Sequence, residues 1–309
     1  MKKIIVLSII FMTTAVACCS KTAYKGNQES PAASDRPGLL VEMPQIPGEL
    51  DFAGEKVPLG NFDTRESLQR EMLVTVNMHS RTYLTLLNTT RYFPIIEPIL
   101  KKHGIPDDFK YLCVAESGLS PEVVSSAGAA GLWQFMPKTG KEYGLMVESQ
   151  VDERYDIEKA TEAACKYLLD SYNQFGSWTL AAAAYNMGNN GLVRRIEKQG
   201  IKEYYDIFLP AETLRYVFRI LSFKLVISDP EAYGYIISKD EYYHKLTDYR
   251  TVDVSGKDIA WSDVARAYGT TYKMLRQLNH WIRDYEYKNA SGHTFKLKIP
   301  NEGFRTEER

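Results

Sequence analysis

Apolar residues recur at three- and four-residue intervals over most of the chain and at two-residue intervals only near its end. After Thr64 the positions Leu68, Met72, Val76, His79, Tyr83, Leu86 and Leu87 fall on one helical face. A second helix is predicted from near Arg91 to His103, with Pro94 in its first turn, where an N–H has no partner to lose, and Gly104 past its end. The run from Tyr111 is apolar up to Glu116, and Gly118 and Pro121 stop it. Asp156 can cap a helix whose inward face is Ile157, Ala160, Ala164, Tyr167, Leu168 and Phe175, closing at Gly176. Ser177 caps the next, WTLAAAAYNMG, whose four successive alanines let a neighbouring helix approach closely. Another runs from Ala211 to about Ile227 and is closed by Asp229-Pro230. Past Lys245 the period becomes two. Tyr249 to Val254 and Phe295 to Ile299 read as strands that bracket helices near Trp261 to Tyr268 and Tyr272 to Leu278. The expected architecture is mainly α, with a small α+β unit at the end.

The start breaks this pattern. Lys2 and Lys3 precede a mostly apolar run from Ile4 to Met12, then small residues up to a cysteine, which reads as a secretory signal too short for a membrane span. Ala15-Val16-Ala17-Cys18 resembles a bacterial lipobox, which implies residues 1–17 as a lipoprotein signal peptide and Cys18 as the lipidated N-terminus. Ordinary cleavage with two incidental cysteines is the alternative. No acidic residue follows the cysteine directly, where resemblance to enterobacterial lipoproteins would place an inner-membrane retention signal; that resemblance implies the outer membrane, acyl chains in the bilayer and the chain facing the periplasm. Pro, Gly, Ser and charge dominate residues 18–62, the expected tether, which becomes ordered near its end. A helical domain over 63–245 and a C-terminal domain over 246–301 follow.

Composition narrows the function classes. The 309 residues are 44% hydrophobic with a formal net charge of −1, enough for packed cores and without the basic footprint that nucleic acid requires. The 21 tyrosines offer apolar faces with polar tips, which suit sugar rings as well as helix packing. His79, His103, His244, His280 and His293 lie far apart without ligand spacing, so a metal site is not expected. Cys113 and Cys165 read as small buried hydrophobes, with a disulfide as the alternative.

Candidate chemistry centres on Glu116. A carboxyl at a helix C-terminus feels the negative end of the macrodipole, and apolar neighbours such as Val114 and Leu119 also disfavour its ionised form. Both effects raise its pKa, as a general acid needs. A solvated last-turn residue is the alternative at this point.

The segment resembles the soluble-type, goose-lysozyme-like lytic transglycosylase family, which cleaves bacterial peptidoglycan. The resemblance rests on Glu116-Ser117, on Ser125, on the block Gly131-Leu132-Trp133-Gln134-Phe135-Met136, on Ala184-Tyr185-Asn186, and on Glu212-Thr213-Leu214-Arg215-Tyr216-Val217. It implies a lysozyme-like helical catalytic domain, no cofactor, peptidoglycan glycan strands as partner, and Glu116 as single acid and base. Ser125 would orient the acid and Tyr185 would place its hydroxyl near the acid or the N-acetyl group of the sugar. Gln134, Met136 and Asn186 would line sugar subsites, with Glu212 and Tyr216 on the cleft wall. The C-terminal unit resembles a LysM domain, although the usual Gly-Asp-Thr-Leu opening is replaced by GKDIAWSDVA. Glycan binding and a purely structural cap are both open for it. Two other functions compete: a muramidase, with Asp152 or Glu153 leaving its expected solvated loop to act as second carboxylate, and a glycan-binding scaffold without turnover.

Overall fold

The computed structural model describes residues 43–306. The signal segment, Cys18 and the first part of the tether lie outside the described residues. Ten α-helices dominate what is described: α1 (Phe62–Asn77), α2 (His79–Lys102), α3 (Phe109–Ser117), α4 (Pro137–Glu142), α5 (Ile157–Phe175), α6 (Trp178–Met187), α7 (Asn189–Gln199), α8 (Ala211–Ser228), α9 (Trp261–Ala267) and α10 (Tyr272–Leu278).

The first two helices divide differently from the pattern. Their break falls at Met78, and α2 runs on through Arg91 with Pro94 and Pro98 inside it. Side chains make the earlier break possible. Asn77 Nδ2 donates to the Leu73 carbonyl, and Thr82 Oγ1 donates to the Thr75 carbonyl, an acceptor that the end of α1 leaves open.

Helix α8 is the spine on which α1, α3 and α6 pack, while α5 lies against α2 and α6. Ala181, Ala182, Ala183 and Ala184 are fully buried, which is the close approach that a run of small side chains permits. Asp156 caps α5 by accepting from Lys159 N, and Gly176 ends it with φ of 72°. Ser177 accepts from Leu180 N at the start of α6.

The tether's second half belongs to this helical core. Strands β1 (Asp51–Phe52) and β2 (Glu55–Lys56) pair antiparallel, and Phe52, Val57 and Leu59 are buried. Phe52 meets Phe109 edge-on at 5.2 Å, and burying such a ring contributes about 2 kcal/mol. The Glu55 carboxylate accepts from Thr179 N at 2.9 Å and Thr179 Oγ1 at 2.6 Å, a negative charge on the positive end of α6. The large apolar residues here are too few to give a period, which is why the pattern reads as linker.

In the C-terminal domain β3 (Tyr249–Val254) pairs antiparallel with β6 (Phe295–Pro300). A second pair, β4 (Asp258–Ala260) with β5 (Glu286–Lys288), is too short to show in the hydropathy. Trp261, Leu275, Trp281, Phe295, Leu297 and Ile299 form its core, with Trp281 stacked on Phe295 at 5.1 Å. Val151, from the helical domain, is fully buried in that same core and bridges Ile282. Trp281 O accepts from Asp152 N and Gln150 O from Arg283 N, both at 2.9 Å. The small domain is therefore docked by apolar and backbone contacts.

Candidate active site

Helix α3 delivers Glu116 to its last turn. It stops there because Gly118 (φ 60°) and Leu119 (φ 57°) are both left-handed, and the fully buried Leu119 anchors the turn. Glu116 is half-buried between the buried Ala115 and Ser117. Burial pushes its pKa up to about 7; a hydrogen bond from Tyr216 and the positive Arg219 pull the other way, and Glu212 adds a small upward push. Tyr216 Oη donates to Glu116 Oε1. That phenol is itself buried and held well above its ordinary range, first by burial and then by the Glu116 charge. Tyr185 feels the same two influences in the same order.

A loop from Val123 to Met136 stands beside the acid, folded by bridges from Val124 to Ala130 and from Ala130 to Phe135. Ser125 closes a turn within it, its Oγ accepting from Ala129 N at 3.0 Å, so its hydroxyl serves the loop where the resemblance has it orienting the acid. Gln134 takes φ of 48° and donates Nε2 to Gly131 O at 2.8 Å and Val123 O at 3.2 Å. Trp133 is buried, donating Nε1 to Thr161 Oγ1, and Phe135 is buried with it. Met136 is 41% exposed at the start of α4, on the surface and outside the core.

The loop hangs on Arg154. This buried guanidinium donates to Gly128 O at 2.8 Å and Phe135 O at 2.9 Å, and its charge is met by Asp152. A Cβ on Gly131, where φ is 78°, would lie 1.9 Å from Arg154 O, so only glycine fits. Asp152 and Glu153 are thus neither solvated nor directed at Glu116. Both are buried, Asp152 bound to Arg154, and Glu153 to Lys159 and Met146 N. A buried carboxylate needs such partners, and these were close in sequence.

The third wall is α8 with the end of α6. Tyr185 Oη donates to Trp133 O at 2.7 Å, so its hydroxyl braces the loop and Tyr216 supplies the donor to the acid. Asn186 Oδ1 accepts from Thr213 Oγ1 at 2.8 Å. Glu212 pairs with Arg219 at 2.9 Å and is held below the usual carboxylate range, chiefly by that hydrogen bond. Glu116, Tyr185 and Tyr216 therefore converge with Arg219 and Glu212 in reach, while Ser125 and Gln134 organise the adjoining loop. Arg219 and Arg154 escaped the sequence reading, and Thr213 stood in it only as a member of the motif. Spacing gave one signal: Glu212, Arg215, Tyr216 and Arg219 stand at i, i+3, i+4 and i+7, one face of α8.

Among the described residues no group of three or more His, Cys, Asp or Glu is arranged to hold a metal, and no helix is long and apolar enough to cross a membrane. Cys113 and Cys165 are unpaired and buried, Cys113 with its Sγ toward Leu132 O at 3.5 Å.

Residues 93–208 match the transglycosylase SLT domain, and residues 250–303 match the soluble lytic transglycosylase C-terminal LysM-like domain. Membrane-bound lytic murein transglycosylase D of Escherichia coli, in strain K12 and in strain CFT073, is 30% identical over 191 residues, covering 59% of this chain and 41% of the relative. The chain thus spans about two-fifths of the length of these curated relatives. Among solved structures, an inactive mutant of lytic transglycosylase Slt from Pseudomonas aeruginosa aligns at a TM-score of 0.36 and 20% identity, over 50% of this chain and 27% of that one. The chain carries a transglycosylase SLT domain followed by a soluble lytic transglycosylase C-terminal LysM-like domain.

Proposed function

We propose that this chain is a peptidoglycan lytic transglycosylase that cleaves the MurNAc-GlcNAc β-1,4 bond and leaves 1,6-anhydro-MurNAc ends. The observation that carries the reading is the Glu116 carboxyl, half-buried with its pKa raised to about 7 and receiving one phenolic hydrogen bond on Oε1. Such a group is about half protonated near neutrality and can give that proton away.

Glu116 donates its proton to the GlcNAc O4 as that oxygen leaves the muramic C1. The N-acetyl carbonyl oxygen of the same muramic residue attacks C1, an intramolecular step favoured by proximity, and forms an oxazolinium. The Glu116 carboxylate then takes the proton of the muramic 6-hydroxyl, whose oxygen closes on C1 as the oxazolinium opens. The acid is restored and no water is consumed. Tyr216 steadies the carboxylate between the two transfers, and Arg219 limits how far burial raises its pKa. Support for a single-carboxylate route comes from the neighbours, since Glu212, Asp152 and Glu153 are each engaged by a cation of the protein. Gln134, Met136 and Asn186 are assigned to the sugar subsites, and Ser125 and Tyr185 to holding the loop.

The C-terminal domain acts chiefly as a structural cap, a role supported by Val151 completing its core. An envelope location, through acylation of Cys18 to the outer membrane with the chain facing the periplasm, is part of the same reading. Mass spectrometry of sacculi digested by the full chain tests it. Anhydromuramyl products that vanish in Glu116→Gln support it; reducing-end muropeptides would instead identify a muramidase, and binding without turnover a scaffold.

A further inference from the structure

Behind the turn that ends α3 lies a cavity of about 310 Å³ whose charged lining is Arg81, Arg215, Arg219, Glu71 and Glu212. Three guanidinium groups face two carboxylates. Glu71, 1% exposed, is bound by Arg215 at 2.6 Å and by Arg219 at 3.6 Å, while Glu212 takes Arg219 at 2.9 Å. Neither carboxylate pairs with Arg81. The buried Glu71 therefore fixes two arginines in place, and an uncompensated positive charge is left toward the opening. The cavity adjoins the acid. Arg219 acts on Glu116 directly, and a Cβ placed on Gly118, two residues past the acid, would lie 3.7 Å from Arg81 Nε. Its volume is at the small end of ligand pockets, suited to a charged group with its linking atoms and too small for a run of sugars.

We infer that this cavity receives a carboxylate carried by the lactyl side arm of the muramic residue, with Arg81 as the principal contact and Arg215 beside it, held by Glu71. A planar carboxylate matches the guanidinium fork, and a charge recognised one side chain away from the scissile bond would select strands by what hangs from the sugar. The inference rests on the glycan-cleaving reading above and names a specificity determinant for it.

The experiment uses the full chain and the exposed Arg81→Gln, with the melting temperature as folding control. Turnover is measured on soluble glycan strands bearing peptide stems and on the same strands after amidase removal of the stems, which frees the lactyl carboxylate from its amide bond. Binding of an uncharged chito-oligosaccharide is measured alongside. The expected result is a KM raised about tenfold with kcat nearly unchanged, together with unaltered chito-oligosaccharide binding. A loss confined to stem-bearing strands places the carboxylate on the peptide; a loss confined to stripped strands, where alone the lactyl group is ionised, places it on the lactyl group, and a loss on both means that the cavity accepts either. The wild-type KM on charged strands should also rise with salt. An unchanged KM on both strands, or chito-oligosaccharide binding that weakens in parallel, overturns the inference. If the wild type releases no product, it is the cleavage reading that fails, and dissociation constants for labelled strands replace KM with the same two outcomes.

Discussion

Two carboxylates six residues apart sit at opposite faces of the same stretch. Glu116 lies against α8, where its hydrogen-bond donor is a neutral phenol, and burial holds its pKa at about 7. Glu122 lies where the loop meets the C-terminal domain. Burial pushes it up too, but His280 Nδ1 at 2.8 Å and Arg283 Nη1 at 2.7 Å pull it down to about 2. One face keeps a proton ready to leave; the other fastens two domains with a permanent charge, and the Arg283 guanidinium also covers the Tyr155 ring at 3.8 Å. What separates them is the charge of the donors together with the depth of burial, since the Glu122 side chain is 45% exposed.

The largest expected effect comes from Glu116→Gln, which removes the transferable proton while keeping the shape. Cleavage should fall by about a thousandfold, read as anhydromuropeptide release. Stability moves the other way. Because the folded pKa exceeds the ordinary 4.5, the fold favours the protonated acid, and the stability this gives is present below 4.5 and lost as pH rises through about 7. Thermal melts of the variant should therefore match wild type in acid and exceed it in alkali.

Next is Gly131→Ala, which drives a methyl into Arg154 O and strains a left-handed residue. A loss of about 3 kcal/mol in denaturant unfolding is expected. Tyr216→Phe deletes the hydrogen bond that lowers the acid's pKa, so the alkaline limb of the pH-rate profile should move upward and the plateau rate fall by about tenfold. Glu122→Gln should do least, lowering the melting temperature by about 2 °C at neutral pH with cleavage nearly intact. Its folded pKa is depressed, so the wild-type advantage exists above 4.5 and should disappear as pH falls through about 2. A large loss of cleavage in Glu122→Gln, or a small one in Glu116→Gln, would break the contrast.

Most of this fold was legible because its helices are amphipathic and end in recognisable signals, as at Gly118, Asp156, Gly176 and Ser177. The α1–α2 boundary was not, since side chains of Asn77 and Thr82 and not a backbone breaker make it. Helix α7, set between Gly188 and Gly200, is mostly polar and buries only Leu192, too little to register as a period. Within the site, Glu116 and Tyr216 stood out by motif, but which hydroxyl reaches the acid depends on how α8 crosses α3. The partners of Ser125 and Tyr185 are loop carbonyls and amides that sequence spacing does not encode. Arg154 and Glu122 act through residues that the turn and the C-terminal domain bring to them.

Difference infrared spectroscopy of the full chain against Glu116→Gln follows the acid itself. The protonated carboxyl band of Glu116 should persist toward neutrality and disappear with a midpoint of about 7, with cleavage declining over the same range. A carboxyl that ionises at the ordinary 4.5, while cleavage continues undiminished, would contradict the assignment of Glu116 as the proton donor.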